Sequence, residues 1–369
     1  MTSEQSALRR TPLHHVHQDL GARIIDFAGW DMPVWYTNAT DEHHAVRTAA
    51  GLFDLSHMAE LFVTGPQAAN ALDWSLLIDA SAMPVGRARY SMMCNELGGI
   101  IDDLIVYRLG DEEFMVVANA SNGPVVFAEL VERAADFEAT VEDRTDAFAL
   151  VAVQGPRAEA IVLRLTGPEL GELKYYRVAE LEIMGAAAYA ARTGYTGEDG
   201  FELFVPAKLG ADLWAALLAD GADDGLVPVG LAARDTLRLE AGMPLYGNEL
   251  SLETTPYDVG SARLVKPKEG GFVGSAALET AADEPHQFLV GLSVEGRRPA
   301  RAGYPVTLGD RVVGHVTSGA LSPTLATGIA IARLDQTPQT GDVVEIDVRG
   351  TMTLATVVDL PFYKRTSKE

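Results

Sequence analysis

The chain has 369 residues, 47% of them hydrophobic and 22% charged, a composition that excludes disordered, fibrous and collagen-like classes and fits a globular protein of two or three domains. Its 52 acidic against 29 basic side chains give a formal net charge of −23. That argues against a nucleic-acid backbone or an anionic membrane as partner, because both need clustered Lys and Arg.

The one cysteine, Cys94, excludes an intramolecular disulfide and any cysteine-built metal cage, and it reads as a buried inert thiol. The opening MTSEQSALRRTPLHHVHQDLG lacks a signal-type apolar core. No stretch approaches the roughly 18 consecutive apolar residues that span a bilayer, so the expectation is a cytoplasmic protein. From Arg23, RIIDFAGWDMPVWY reads as a strand and a loop, and DEHHAVRTAAGLFDLSHMAELFVTG as a helix and then a strand. GPQAANALDWSLL has helical spacing after a Gly-Pro start, and RYSMMCN, GIIDDLIVYRL and EFMVVANA read as three successive antiparallel strands joined by short turns. FALVAVQGPRAEAIVLRLTG repeats the strand, Gly-Pro and helix order of LFVTGPQAANALDWSLL, a hint of two related units.

AAAYAARTGYTGEDGFELFVPA is expected to be a hairpin, followed by helices in LGADLWAALLADG and GLAARDTLRLEAG. From His286 the chain offers only short apolar alternations punctuated by Gly, Pro and Asp, the pattern of an all-β barrel or sandwich. The polar ALETAADEPHQ reads as a linker, placing a boundary near 280 and dividing the chain into 1–280 and 281–369.

Three places carry candidate chemistry. In LGGIIDDLIVYRL the neighbours Asp102 and Asp103 interrupt an apolar strand. At most one can face a given side, so one solvated and one in a turn or bulge stands beside one facing a site. In GYTGEDGFE, Glu198 and Asp199 sit at an expected solvated tip, and Glu202 projects opposite Phe201 and Leu203, to water or to a pocket. At the start of a helix, Arg234 opposes the macrodipole and needs a reason such as an anionic ligand, whereas Arg238 and Glu240 read as helix-surface charge. The stretches FAGWDMPVWY and SHMAEL line an apolar pocket or are plain core. There is no Walker loop, no G-x-G-x-x-G, no G-x-S-x-G elbow and no H-E-x-x-H, which disfavours nucleotide, serine-nucleophile and zinc chemistry.

The segments FAGWDMPVWY, LFDLSHM, GRARYSMMCNELGGIIDDLIVYR, VVANASN, VQGP, TGYTGEDGFE, GLAARDTLRLEAGMPLYGNEL and GHVTSGALSPTL occur in one order from about Thr11 to Tyr363. Together they resemble the T-protein family of the glycine cleavage system, the aminomethyltransferases. The resemblance implies an α+β, three-domain cloverleaf. Two intertwined lobes with antiparallel sheets make up 1–280, a β-barrel makes up 281–369, and a folate site lies at the centre.

It also implies transfer of the one-carbon unit from the aminomethyl-lipoyl arm of H-protein to tetrahydrofolate. The products would be 5,10-methylenetetrahydrofolate, ammonia and dihydrolipoyl H-protein, with a functional link to the P- and L-proteins and no metal or flavin. Position by position, Asp103 matches the family's essential carboxylate. Glu202 matches the pterin-binding glutamate and Arg234 the arginine at the folate end. Tyr90, Val117, Asn119 and Tyr195 match cavity residues, and Arg365, in PFYKRTSKE, falls near a ligand-contacting position. Asp103 is expected to orient and to stabilise charge first and to move a proton second, since an ordinary aspartate pKa of about 3.9 makes a weak base. A relative that assists iron–sulfur assembly carries a cysteine in the motif that here reads TGYTGEDG. The dimethylglycine and sarcosine oxidising relatives use a flavin domain, and the alternative from another class is a non-catalytic folate-binding or scaffold protein.

Overall fold

A computed structural model describes residues 7–284, 286–336 and 338–366. The chain divides into two compact units that exchange segments: one takes the chain up to Leu61, Asp143–Gly194 and Glu198–Arg234, the other Phe62–Glu142, Tyr195–Gly197 and the chain from Asp235.

The first unit holds a six-stranded sheet in the order Val178–Ile183, Ala186–Ala191, Gly200–Pro206, Phe148–Gln154, Ala50–Asp54, Leu226–Pro228. Neighbours are antiparallel except the last pair, which is parallel. Period-two alternation sends Phe201, Leu203 and Val205 into a core with Val151, Val153, Leu52 and the helix residues Ile161, Leu213, Trp214 and Leu217. Glu202 therefore takes the opposite face.

The second unit holds a five-stranded sheet and a closed barrel. The sheet order is Ala88–Cys94, Ile100–Arg108, Glu113–Ala118, Ala59–Thr64, Thr140–Asp143. The barrel runs Phe288–Val294, Gly328–Leu334, Arg311–Leu321, Pro305–Leu308, Val343–Asp347, Met352–Val358 and closes by pairing the last strand with the first. Its long strand bends through a register shift between Val316 and Ser318, and Leu292, Val306, Ile346 and Ala355 fill its interior.

The mixed α+β class, the antiparallel sheets and the barrel agree with expectation, but several local readings need correction. The loop expected after Arg23–Phe27 is a second strand, Trp30–Trp35, joined through Ala28 and Gly29 at φ 52° and 82°. This two-residue turn lacks the usual Asn-Gly or Asp-Gly signal. The single strand expected after the helix Ala39–Thr48 is two, Ala50–Asp54 and Ala59–Thr64, one in each sheet. The expected linker is helical over Ser275–Ala281 because Leu278 packs into a buried cluster with Met92 and Phe272.

The Gly-Pro echo has a geometric basis. Gly65 and Gly155 both sit at positive φ, 121° and 133°. Three residues on, Ala68 and Ala158 each donate a backbone N–H back to that glycine at 3.0 Å. Gln67 N bonds Glu138 O in one copy and Arg157 N bonds Ala49 O in the other. A Cβ at Gly65 would collide with Glu138 O, and one at Gly155 with Ala49 O, so glycine is required at both.

Trp214 is fully buried in the core of the first unit. Trp214→Ala should cost about 3–5 kcal/mol of stability, read as a lower urea midpoint; an unchanged midpoint would remove Trp214 from the core.

Candidate active site

The strand Ile100–Arg108 carries the paired aspartates. Its register with Ala88–Cys94 runs Met92↔Asp103 and Met93↔Asp102, then shifts to Cys94↔Ile100, so one extra residue is accommodated just before Asp102. Tyr90 pairs with Ile105, which pairs with Val117 on the other side. Asp103 and Ile105 share a face by period-two alternation, so the row places Tyr90 and Val117 on the aspartate's side of the sheet. Asn119 stands one residue beyond the registered pair Leu104↔Ala118.

The expectation that one aspartate is solvated does not hold: Asp102 is fully buried and Asp103 half-buried. Asp102 is buried because it fastens the following loop. Its Oδ2 accepts from Asn119 N at 2.9 Å and its Oδ1 from Asn119 Nδ2 at 2.8 Å and Asn122 Nδ2 at 2.7 Å. Asp103 Oδ2 accepts from the Tyr90 hydroxyl at 3.0 Å, and its Oδ1 from Asn119 Nδ2 at 2.9 Å. One asparagine amide thus touches both carboxyls.

Burial, the largest influence, pushes Asp103 up to about 6, against hydrogen bonds from Tyr90 and Asn119 that favour the carboxylate. Asp102 rises to about 7 through burial and then the neighbouring Asp103 charge, opposed by its asparagine donors. Asp103 is therefore not the weak base its ordinary pKa implies. Near neutrality it can hold or release a proton while Tyr90 and Asn119 fix both oxygens.

Tyr195 and Arg365 belong to the same unit as Asp103. The Tyr195 hydroxyl donates to the Pro244 carbonyl, and Arg365 is half-buried in a tail pinned where Tyr363 N bonds Glu240 O at 2.8 Å. Glu202 and Arg234 belong to the first unit. Glu202 is buried, not water-facing, and accepts from the Thr193 hydroxyl. Arg234, half-buried in the helix Leu231–Glu240, acts on a residue missed in the sequence, His57. Burial and then the Arg234 charge, against an opposing Asp54, lower His57 to about 4, so it is neutral.

Asp54 was also missed. It accepts from Thr11 Oγ1 at 2.6 Å and Ser56 N at 2.9 Å and meets His17 Nε2 at 2.8 Å. Burial, the largest single influence, raises it, but the hydrogen bond and charge of His17 together with the Ser56 and Thr11 hydrogen bonds hold it below the usual range. The only signal was the SHM motif beside an aspartate.

Other polar residues read as solvated are internal. Glu198 is buried in an ion pair with Arg47 at 2.8 Å, and Asp199 bonds Arg192 Nε at 3.0 Å. Arg238 bonds Glu249 at 3.1 Å and Ser318 at 2.8 Å, while Glu240 takes Thr324 Oγ1 at 2.8 Å, tying the helix to the barrel strand and the loop after it. Cys94 is buried, its thiol pushed up to about 12. Among the described residues no group of three or more His, Cys, Asp or Glu is placed to hold a metal ion. Among them, too, no helix is long and apolar enough to cross a membrane.

The family model of the GCVT N-terminal domain matches residues 13–269, and that of the glycine cleavage T-protein C-terminal barrel domain matches 288–364. An aminomethyltransferase of Saccharopolyspora erythraea is 54% identical over 98% of this chain and 100% of its own length. That of Streptomyces coelicolor is 56% identical over 97% and 98%. The crystal structure of the glycine cleavage system aminomethyltransferase T from Bartonella henselae superposes with a TM-score of 0.89 at 38% identity, covering 97% of this chain and 98% of that one.

Folded-state values above the ordinary aspartate range mean that the native state keeps protons the unfolded chain has lost. Stability from these two carboxyls therefore falls as pH rises from about 4 through about 7. Asp102→Asn should flatten that part of the curve in urea denaturation followed against pH; an identical slope would show that Asp102 does not titrate there.

Proposed function

We propose a reaction for this chain on one premise: it belongs to the glycine cleavage T-protein family, whose two domain models it matches in order. The reaction is tetrahydrofolate-dependent aminomethyl transfer. A thioaminal S–CH2–NH2 on the lipoyl arm of H-protein loses ammonia and its methylene passes to folate. The lipoyl sulfur leaves as a thiol, and the two folate N–H protons go to the departing nitrogen and sulfur. A cytoplasmic location and metabolic coupling to the P- and L-proteins are part of this reading.

The observation that carries it is the clamped Asp103, with Tyr90 on one oxygen and Asn119 on the other and a pKa of about 6. As an anion it stabilises the cationic methylene formed when either heteroatom leaves. As a base it takes the proton that a folate nitrogen sheds on forming the new C–N bond. With a pKa this near neutrality, proton transfer stands beside charge stabilisation.

Glu202, whose oxygen already accepts from Thr193, has the acceptor fork that suits the pterin amino and ring N–H groups. Arg234 is assigned to an anionic part of the folate. Tyr195, Asn119, Val117 and Arg365 are assigned to shape and orientation.

The test incubates the purified protein with aminomethyl-loaded H-protein, with and without tetrahydrofolate, and follows ammonia and methylenetetrahydrofolate together. Folate should stimulate release, and Asp103→Asn should lose on the order of 100-fold in turnover. Folate binding without turnover on a validated H-protein would move the chain to the binding class. Glu202→Ala should instead raise KM for tetrahydrofolate about tenfold or more, the expected result of losing a charge-assisted fork, and an unchanged KM would take Glu202 out of the pterin site.

A further inference from the structure

In the second unit, the chain that follows the helix Leu231–Glu240 runs against the strand bearing the paired aspartates. Ile100 N, at the head of that strand, donates to the Ser251 and Thr254 carbonyls at 3.2 and 3.0 Å. A Cβ at Gly99 would collide with the Leu252 carbonyl, so glycine is what lets the two backbones meet there.

Just upstream, the loop PLYGNEL, residues 244–250, is fastened from several directions. The Tyr195 hydroxyl donates to the Pro244 carbonyl. The buried Glu249 accepts from Leu245 N at 2.9 Å and from Arg238 Nη1 at 3.1 Å. From the barrel, Arg333 Nη2 donates to the Glu249 carbonyl at 2.6 Å, and Ser318 meets Asn248 Nδ2 at 2.9 Å. Tyr246 stands in the middle of this clamp, half-buried, and its own hydroxyl makes no hydrogen bond among the described residues. A loop held this firmly presents one phenol that ties nothing, which is how a scaffold fixes a group meant for a ligand.

The Tyr246 ring packs on the buried cluster of Met92, Cys94, Ile100 and Leu250, which Tyr90 also flanks. Met92 is registered opposite Asp103, and Tyr90 shares its side of the sheet by alternation. Tyr246 therefore borders the face that carries Asp103. Burial first, then the charges of Asp102, Glu253 and Asp103, hold its phenol above the ordinary value. It stays a neutral donor across the range in which Asp103 titrates.

Aminomethyl transfer needs such a donor. When the methylene leaves the lipoyl sulfur, the C–S bond breaks with its electron pair on sulfur, and negative charge develops there. Asp103 as an anion opposes that charge. The donors that touch it are committed, the Tyr90 hydroxyl to Asp103 and the Asn119 amide to both aspartates.

We propose that Tyr246 is a further catalytic residue whose hydroxyl hydrogen-bonds the departing lipoyl sulfur. The inference rests on the transferase reading above. The proton that turns the thiolate into a thiol is the one Asp103 takes from the folate nitrogen, so Tyr246 ends the turnover as it began, a neutral phenol.

The test compares Tyr246→Phe with the wild type in three measurements: single-turnover formation of methylenetetrahydrofolate from aminomethyl-loaded H-protein, tetrahydrofolate affinity by calorimetry, and the urea midpoint. The rate should fall about tenfold, the size of one neutral hydrogen bond made only in the transition state, and by the same factor at every pH. Affinity and midpoint should not change, because the hydroxyl has no partner in the fold. An unchanged rate overturns the proposal and leaves the transferase reading standing. A wild-type chain inactive with validated H-protein overturns both. A loss of folate affinity that matches the loss of rate would give the hydroxyl to the pterin, a lower midpoint would give it to the fold, and either result removes it from the sulfur.

Discussion

A single side-chain amide holds the site together. Asn119 Nδ2 approaches Asp102 Oδ1 at 2.8 Å, Asp103 Oδ1 at 2.9 Å and the Asp103 carbonyl at 3.0 Å. An amide nitrogen has two hydrogens for these three acceptors, so at least one bond is shared. Burial, and for Asp102 the neighbouring Asp103 charge, outweighs these donors and pushes the two carboxyls up to about 7 and about 6. The arrangement also depends on where Asn119 is placed. It opens the loop that leads into the helix Gly123–Ala134, and Asn122 at the head of that helix supplies the third donor to Asp102. At the far end, Arg133 donates to the Ser75 and Cys94 carbonyls, both at 2.9 Å. The helix is thus tied at one end to the strand bearing the aspartates and at the other to the strand bearing Tyr90.

The first unit solves the same problem in the opposite direction. Asp54 is as buried as Asp102, yet it stays below the usual carboxylate range, because one of its donors is an imidazole able to carry charge and the others are a hydroxyl and a backbone N–H. Asp103 has a phenol and a shared amide instead. A charged donor on one carboxyl and neutral donors on the other separate an acid kept ionised from one poised to exchange a proton.

What the sequence made legible follows from the range of each interaction. The strands of RYSMMCN, GIIDDLIVYRL and EFMVVANA, the amphipathic helices and the short barrel strands are local patterns, and they appear as such. Misread residues have distant partners. Glu198 looked solvated at a hairpin tip, but its partner Arg47 lies 151 positions away, and Arg238 looked like surface charge, but its partner Ser318 lies 80 positions away. Asp102 was ambiguous for a subtler reason. Alternation assigns its face correctly, but nothing local says that the asparagines of VVANASN stand ready to receive it. The Ala28-Gly29 turn failed on turn chemistry alone, since alanine at positive φ is uncommon.

The distribution of cations carries a further constraint. In a chain this acidic, a buried guanidinium has an abundance of carboxylates and carbonyls to meet, and the buried or half-buried Arg47, Arg133, Arg192 and Arg238 each meet one. Desolvating such a group is tolerable only with those partners. The exposed Arg89, Arg263 and Lys266 pay no such penalty, so partnership there is optional. Enclosed guanidiniums therefore carry partners that exposed cations can do without.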